Sequence, residues 1–309
     1  MSVVGRARRM LFGVPSYTAK AKDGVVWDSF APVVTSLMAG YHAAVDDPSP
    51  SAIEARLRDV EPALKGFAYE GAGMGLAALD TVTPWNKKRL RAFVDGPGAP
   101  FVFPIYIGAG LAYARLRRLP EANVNRLDPL LGWASVDGYG FHEAVFKRQR
   151  IVDEHAVTAR LSTYGQRVFD QGVGRALWFF SGAVADRVTG LVSGFPPERH
   201  ADLWTGVGVA STYAGGADEE TLREVRVNAG PYAARLARGA ARAAWGREGA
   251  GNQTPHTDLA CEVYCGRSSQ QVALAAEKAC RDLPPAGDSD EPLFAIWQER
   301  TDENLSVGT

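Results

Sequence analysis

Cysteine is scarce in this chain. The 309 residues hold three, Cys261, Cys265 and Cys280, all late in the sequence. An odd, clustered set of this kind excludes a disulfide framework and makes a reducing cytoplasm the expectation. Lysine is scarce too: 7 of the 34 basic residues are Lys and the other 27 are Arg. There is no excess of either charge, with 34 basic against 35 acidic residues and a net charge of −1. A general nucleic-acid binder normally carries a clear basic excess, so nucleic acid is not expected as a partner. No apolar run approaches the roughly 18–20 residues that span a bilayer. The longest, Phe101 to Tyr113, ends at Arg115, Arg117 and Arg118 and reads as a buried helix. No secretory signal is expected, because the apolar run after the basic Met1 to Arg9 stops at Pro15.

Catalytic signatures are equally sparse. There is no P-loop and no G-x-S-x-G elbow. The H-E-x-x-H zinc pattern begins at His142-Glu143 but fails at Phe146. Cys261 and Cys265 stand one helical turn apart and read as packing rather than as metal ligands. No metal site is expected, and no cofactor is expected to be bound.

Runs of strand type are also rare. Apolar residues recur near a 3.6-residue period almost throughout, which predicts an all-α chain. Helices are expected at 30–46, 50–64, 66–81, 86–94, 102–118, 128–147, 156–181, 183–193, 200–214, 218–228, 230–246, 256–281 and 291–302, with breaks at Pro or Gly. Three regions follow: an irregular N-terminal segment at 1–29, a single helical repeat domain at 30–303 and a mobile tail at 304–309.

The strongest pattern is a recurring Gly-x-Gly inside apolar helices. Its copies are Gly71-Ala-Gly73, Gly108-Ala-Gly110, Gly138-Tyr-Gly140, Gly172-Val-Gly174 and Gly206-Val-Gly208, spaced by 37, 30, 34 and 34 residues, with a degenerate copy at Gly239. Glycine inside a helix costs about 0.8–1 kcal/mol relative to alanine. Close approach of neighbouring backbones is the simplest compensation. A period near 34 residues fits one helix pair per unit. The expected architecture is about six helix pairs in an α/α solenoid or closed toroid, with inner helices meeting at their glycine faces. No strand precedes any copy, so a dinucleotide-binding reading fails.

The residues before the glycine pairs are Glu70, Ile107, Asp137, Gln171 and Thr205, mostly polar in apolar surroundings. Superposed units would aim them at one shared hollow. Candidate acid/base residues are Glu70, Asp137, His142 and Glu143. Candidate substrate-binding residues are Tyr69, Tyr106, Asp170, Gln171, Arg175, Trp204 and His256. Buried carboxylates beside an apolar ligand have raised pKa values and can donate protons. The nearby aromatics Phe67, Phe103, Trp133, Trp178, Phe179 and Tyr213 suit a long apolar or unsaturated ligand. Carboxylates that converge and share hydrogen bonds would favour an enzyme. A cavity whose carboxylates are all paired to Arg would favour a carrier.

Several strings occur together in order: Gly66-Phe-Ala-Tyr-Glu-Gly-Ala-Gly-Met74, Asp137-Gly-Tyr-Gly-Phe-His-Glu143, Arg167-Val-Phe-Asp-Gln-Gly-Val-Gly-Arg-Ala-Leu-Trp178, Ala201-Asp-Leu-Trp-Thr-Gly-Val-Gly208 and Pro255-His-Thr-Asp-Leu-Ala-Cys261. From about Phe12 to Cys280 the chain resembles the bacterial domain-of-unknown-function family 1702. That resemblance implies a place beside a polyketide synthase in enediyne natural-product biosynthesis, as an accessory protein processing a hydrophobic polyene intermediate. It further implies membrane-protein and accessory-protein partners, with membrane association through such a partner. It supplies no catalytic residue. The expected function is therefore an accessory enzyme acting by acid/base or cyclisation chemistry, or by part of a redox maturation step. Its alternative is a non-catalytic polyene carrier, chaperone or scaffold for a membrane partner. A terpene-cyclase-like enzyme is a lesser alternative, since neither D-D-x-x-D nor D-x-D-D occurs.

Overall fold

The computed structural model describes residues 30–306 apart from Pro84, Ala159 and Asp282. The segment expected to be irregular at 1–29, and residues 307–309, lie outside the described residues. Among the described residues there are fifteen α-helices, a few short 3₁₀ or π turns and no strand.

Eight helices are long and deeply buried: α1 (Ala31–Asp46), α3 (Pro62–Val82), α5 (Val102–Arg115), α7 (Ala134–Phe146), α8 (Thr163–Ser181), α10 (Pro197–Tyr213), α12 (Ala233–Gly249) and α14 (Ser269–Cys280). Each packs on the next in that order. Six others lie between them in sequence, α2 (Pro50–Leu57), α4 (Arg89–Val94), α6 (Val124–Leu127), α9 (Ala185–Ser193), α11 (Glu219–Ala229) and α13 (Pro255–Cys265), and α15 (Leu293–Ser306) follows the last. Several are amphipathic; α9 buries Ala185, Val188 and Val192, and α11 buries Leu222, Val225 and Ala229.

Local chemistry sets the boundaries. Proline, which lacks the N–H a first turn does not use, opens α2, α3, α10 and α13. Ser162, Asp218 and Thr254 accept hydrogen bonds from first-turn backbone amides, and Ser268 and Gln271 form a reciprocal capping box. That capping box, with Gly266 left-handed at φ 66° just before it, splits the helix expected at 256–281 into α13 and α14. The helix expected at 50–64 ends at Leu57, because Pro62 starts a new one. Between α7 and α8 the chain makes a π turn, Gln149–Asp153, rather than an outer helix. The last helix, expected at 291–302, runs from Leu293 to Ser306, four residues further, so residues 304–306 of the expected mobile tail are helical.

The glycine pairs sit where the buried helices cross. A Cβ on Gly108 would overlap the carbonyl oxygen of Glu70, one on Gly138 that of Ile107, one on Gly172 that of Asp137 and one on Gly206 that of Gln171. The second glycine of each pair faces the following helix: Gly73 meets the carbonyl of Ile105, Gly110 that of Ser135, Gly140 that of Phe169 and Gly174 that of Leu203. Side-chain-free backbones therefore nest at these crossings, and no other residue fits without moving a helix. The residue before a glycine pair supplies the carbonyl on which the next helix's glycine lands, which fixes the level of its side chain.

Candidate functional site

Six of the buried helices, α1, α3, α5, α7, α8 and α10, wall a small apolar cavity of about 60 Å³. By the measure of about 10–15 Å³ per water, it has room for a few water molecules. Its walls include Val33, Val34 and Leu37 of α1, Phe67 of α3, Phe103 and Ile107 of α5, Phe141 of α7, Phe179 of α8 and Tyr213 of α10. Among the described residues two charged side chains line it, Glu70 and Arg175. The Glu70 carboxylate lies 4.0 Å from the Arg175 guanidinium, and no side chain among the described residues hydrogen-bonds it. Burial pushes the Glu70 carboxyl up from its ordinary 4.5 to about 7; Arg175 opposes the shift and Asp137 adds to it. A carboxyl balanced near neutrality can give or take a proton inside an apolar pocket.

Behind Arg175 runs a chain of buried polar groups. Asp137, fully buried, stands 2.9 Å from Arg175 Nη1 and accepts a 2.7 Å hydrogen bond from Arg242 Nη2. Arg242 Nη1 donates to Gln171 Oε1 at 2.8 Å, and Gln171 Nε2 donates to Asp202 Oδ1 at 3.0 Å. Arg167 closes the series, donating to Asp202 at 3.2 Å, and Gln298 of α15 donates to Gln171 at 3.1 Å. Both buried guanidiniums also lie over aromatic faces, Arg175 on Phe141 at 4.9 Å and Arg242 on Phe103 at 5.4 Å. With Glu70 ionised, three carboxylates (Glu70, Asp137, Asp202) balance three guanidiniums (Arg175, Arg242, Arg167). Protonating Glu70 leaves one positive charge in excess at the cavity wall.

The structure thus joins Glu70, Asp137, Gln171 and Arg175 in one network, but only Glu70 and Arg175 reach the cavity. Asp137 and Gln171 are covered by the two guanidiniums, so neither lines the hollow as the sequence suggests. Asp170 is committed elsewhere: Arg199 grips it with two hydrogen bonds of 2.9 and 2.5 Å. Burial still raises its carboxyl to about 6, against the pull of Arg199. His142 and Glu143 also lie outside the cavity lining. Glu143 binds Lys147 at 2.5 Å and lies 3.7 Å from His142 Nδ1. Burial raises the Glu143 carboxyl, but these two partners outweigh it and hold it below the usual carboxylate range.

The other expected binding residues do not line this cavity. Tyr69 is stacked between Phe93 and Phe101. Tyr106 turns away from the cavity and donates to the Leu127 carbonyl at 3.0 Å. Trp204 is buried in the core. His256 lies within 3.0 Å of Thr254 Oγ1 and 3.1 Å of the Tyr213 carbonyl at the start of α13, where burial lowers its pKa. Trp178 and Trp133, grouped with the aromatic wall in sequence, do not line it; Trp178 donates instead to the Gly215 carbonyl at 2.9 Å.

Sequence reasoning missed Arg242, Arg199, Arg247 and Phe141. Arg247, fully buried, holds the carbonyls of Asn252 at 2.9 Å, Ala63 at 3.1 Å and Tyr213, with its guanidinium 4.1 Å above the Tyr213 ring. A signal existed for two of them. Phe141, Arg175 and Arg242 each stand four residues after a pre-glycine residue (Asp137, Gln171 and Arg238), which puts them on the same helical face.

Among the described residues, no three His, Cys, Asp or Glu side chains group as a metal ion would need, and no helix is long and apolar enough to cross a membrane. Neither the curated proteins nor the solved structures include a match to the sequence. Residues 18–305 match the family described as Protein of unknown function (DUF1702), and the chain, matched over most of its length, belongs to that family.

Proposed function

We propose that the chain is an α/α solenoid, built on the Gly-x-Gly unit and curved toward a toroid, that binds a hydrophobic polyene or polyketide-derived intermediate and acts on it through Glu70. In this reading it is a cytoplasmic accessory enzyme of enediyne-type biosynthesis, meeting its membrane partner from the soluble side. The observation that carries the reading is the Glu70 carboxyl, raised to about 7 in a cavity walled by Phe67, Phe103, Phe141 and Phe179. Protonated, it delivers a proton to an unsaturated carbon chain. Ionised, it removes one, and Arg175, 4.0 Å from that carboxylate, stabilises the anion left on the substrate. Asp137 then acts as a positioning residue that fixes Arg175. The solenoid reading is supported by the like placement of the glycine carbonyl contacts at successive helix crossings. The cavity of about 60 Å³ is well below the roughly 300–1,000 Å³ of ordinary ligand pockets, so a polyene enters only if the α1 wall, Val33 and Val34, moves outward.

One observation favours the carrier instead. Asp137 and Asp170 are both locked to Arg, which leaves Glu70 as the sole cavity carboxylate among the described residues. Native mass spectrometry of the protein co-expressed with its polyketide synthase separates the readings. The enzyme reading expects wild type and Glu70→Gln to capture a polyene, with product lost only in the variant. It expects Ala210→Leu, which fills the cavity wall, to capture none. Unchanged product with Glu70→Gln leaves the carrier; capture by Ala210→Leu equal to wild type removes the cavity from both.

A further inference from the structure

A second cavity lies away from the apolar one. It occupies about 530 Å³ between the end of α3, the start of α4, the outer end of α5 and α6. Its floor is apolar, with Leu90, Leu119 and Leu127, and its rim is cationic, with Lys87, Arg91, Arg118 and Arg126. The carboxylates around it are occupied. Asp80 pairs with Arg89 at 3.0 Å and accepts the Leu90 amide, Asp95 pairs with Arg91 at 2.7 Å, and Asp128 accepts the amides of Leu130 and Leu131. The side chains of Lys87, Arg118 and Arg126 have no ion-pair or hydrogen-bond partner among the described residues. Arg118 is delivered to the wall by a turn that puts Arg117 at φ 55°, a left-handed conformation unfavourable for any residue with a Cβ.

An independent observation points the same way. Tyr113 lines this cavity while 7% exposed, and its hydroxyl makes no hydrogen bond among the described residues. The ring is packed while the hydroxyl opens on the cavity, where it is free to donate to an occupant. Two unpaired guanidiniums and an ammonium on exposed residues, with a phenolic donor, line one cavity over an apolar floor, a set that matches an anion with several oxygens on an apolar body.

We propose that this cleft binds a phosphate-bearing anion of diphosphate size, with its organic body on Leu90, Leu119 and Leu127. The volume lies within the range of ordinary small-molecule sites. Arg118 and Arg126 hold the phosphate oxygens, Lys87 adds charge at the rim and the Tyr113 hydroxyl donates from the floor. The site is separate from the Glu70 cavity and does not depend on its function.

The test is calorimetric titration of the full chain with inorganic pyrophosphate and with ADP at low and physiological salt. A parallel arm measures sedimentation with phosphatidylcholine vesicles containing phosphatidic acid. Wild type is expected to bind, more weakly at higher salt because exposed charges are screened. Each lost charge-assisted hydrogen bond weakens binding about tenfold or more, so Arg118→Ala with Arg126→Ala loses about a hundredfold. Tyr113→Phe, which keeps the packing, loses several-fold, and Arg223→Ala on α11 changes nothing. Binding of pyrophosphate or ADP assigns a soluble ligand, and binding of vesicles alone assigns a lipid headgroup; both sustain the site. Equal affinity in wild type and the double variant, or no binding of any probe at millimolar concentration, overturns it.

Discussion

The Glu70 carboxyl makes stability depend on pH in an unusual direction. Its folded-state pKa is raised from 4.5 to about 7, so between these values the folded chain holds a proton that the unfolded chain has released. Stability from this group is complete below pH 4.5 and falls as pH rises through 7. One pKa unit corresponds to about 1.4 kcal/mol, so the difference amounts to about 3 kcal/mol. Glu70→Gln removes the titration and keeps the shape. At pH 5, already above the unfolded value, the variant should lead by a little under about 1 kcal/mol. At pH 8.5 it should be the more stable by about 3 kcal/mol, the wild type having buried a charge that Arg175 at 4.0 Å only partly compensates. Asp170, raised to about 6, adds a fall of the same sign between 3.8 and 6, but it is common to both proteins and cancels in the difference. Urea unfolding followed by circular dichroism from pH 5 to 8.5 measures the effect. A difference that stays flat, or a wild type that gains on the variant as pH rises, refutes the argument. Either result would mean that the Arg175 attraction outweighs burial and that Glu70 is an ordinary ion-pair carboxylate.

Other perturbations have equally definite outcomes. Gly108→Ala places a methyl on the Glu70 carbonyl; despite a helix-propensity gain of about 1 kcal/mol, it should destabilise by at least about 3 kcal/mol in urea unfolding. Gly190→Ala, in the exposed face of α9 with open space around it, should instead stabilise by about 0.5–1 kcal/mol. Asp137→Asn leaves two buried guanidiniums without their carboxylate and should cost about 3–5 kcal/mol at every pH from 5 to 9, unlike the pH-dependent Glu70 effect.

The glycine pairs were legible because their cost in a helix has few explanations, and close backbone approach is one that leaves a mark in sequence. The level of Glu70 followed from its place just before Gly71. The partners of the site were not legible. A buried Arg242 in Arg-Gly-Ala-Ala-Arg looks like a solvated arginine, and only the three-dimensional closeness of Asp137, 105 residues earlier, takes it out of water. The same closeness ties Asp137, a candidate acid in the sequence, to Arg175 and Arg242. His142-Glu143 looked like a reactive couple, but Lys147, one turn on, already engages the carboxylate. The split of 256–281 turned on Gly266, whose left-handed φ shows only when the chain is folded.

The most direct measurement is the titration of the Glu70 carboxyl itself, by carbon-13 NMR of protein labelled at glutamate side chains, with the resonance assigned by its absence in Glu70→Gln. The account predicts a midpoint close to 7. A midpoint at or below the ordinary 4.5 would contradict it, leaving the cavity without a group able to exchange protons at neutral pH.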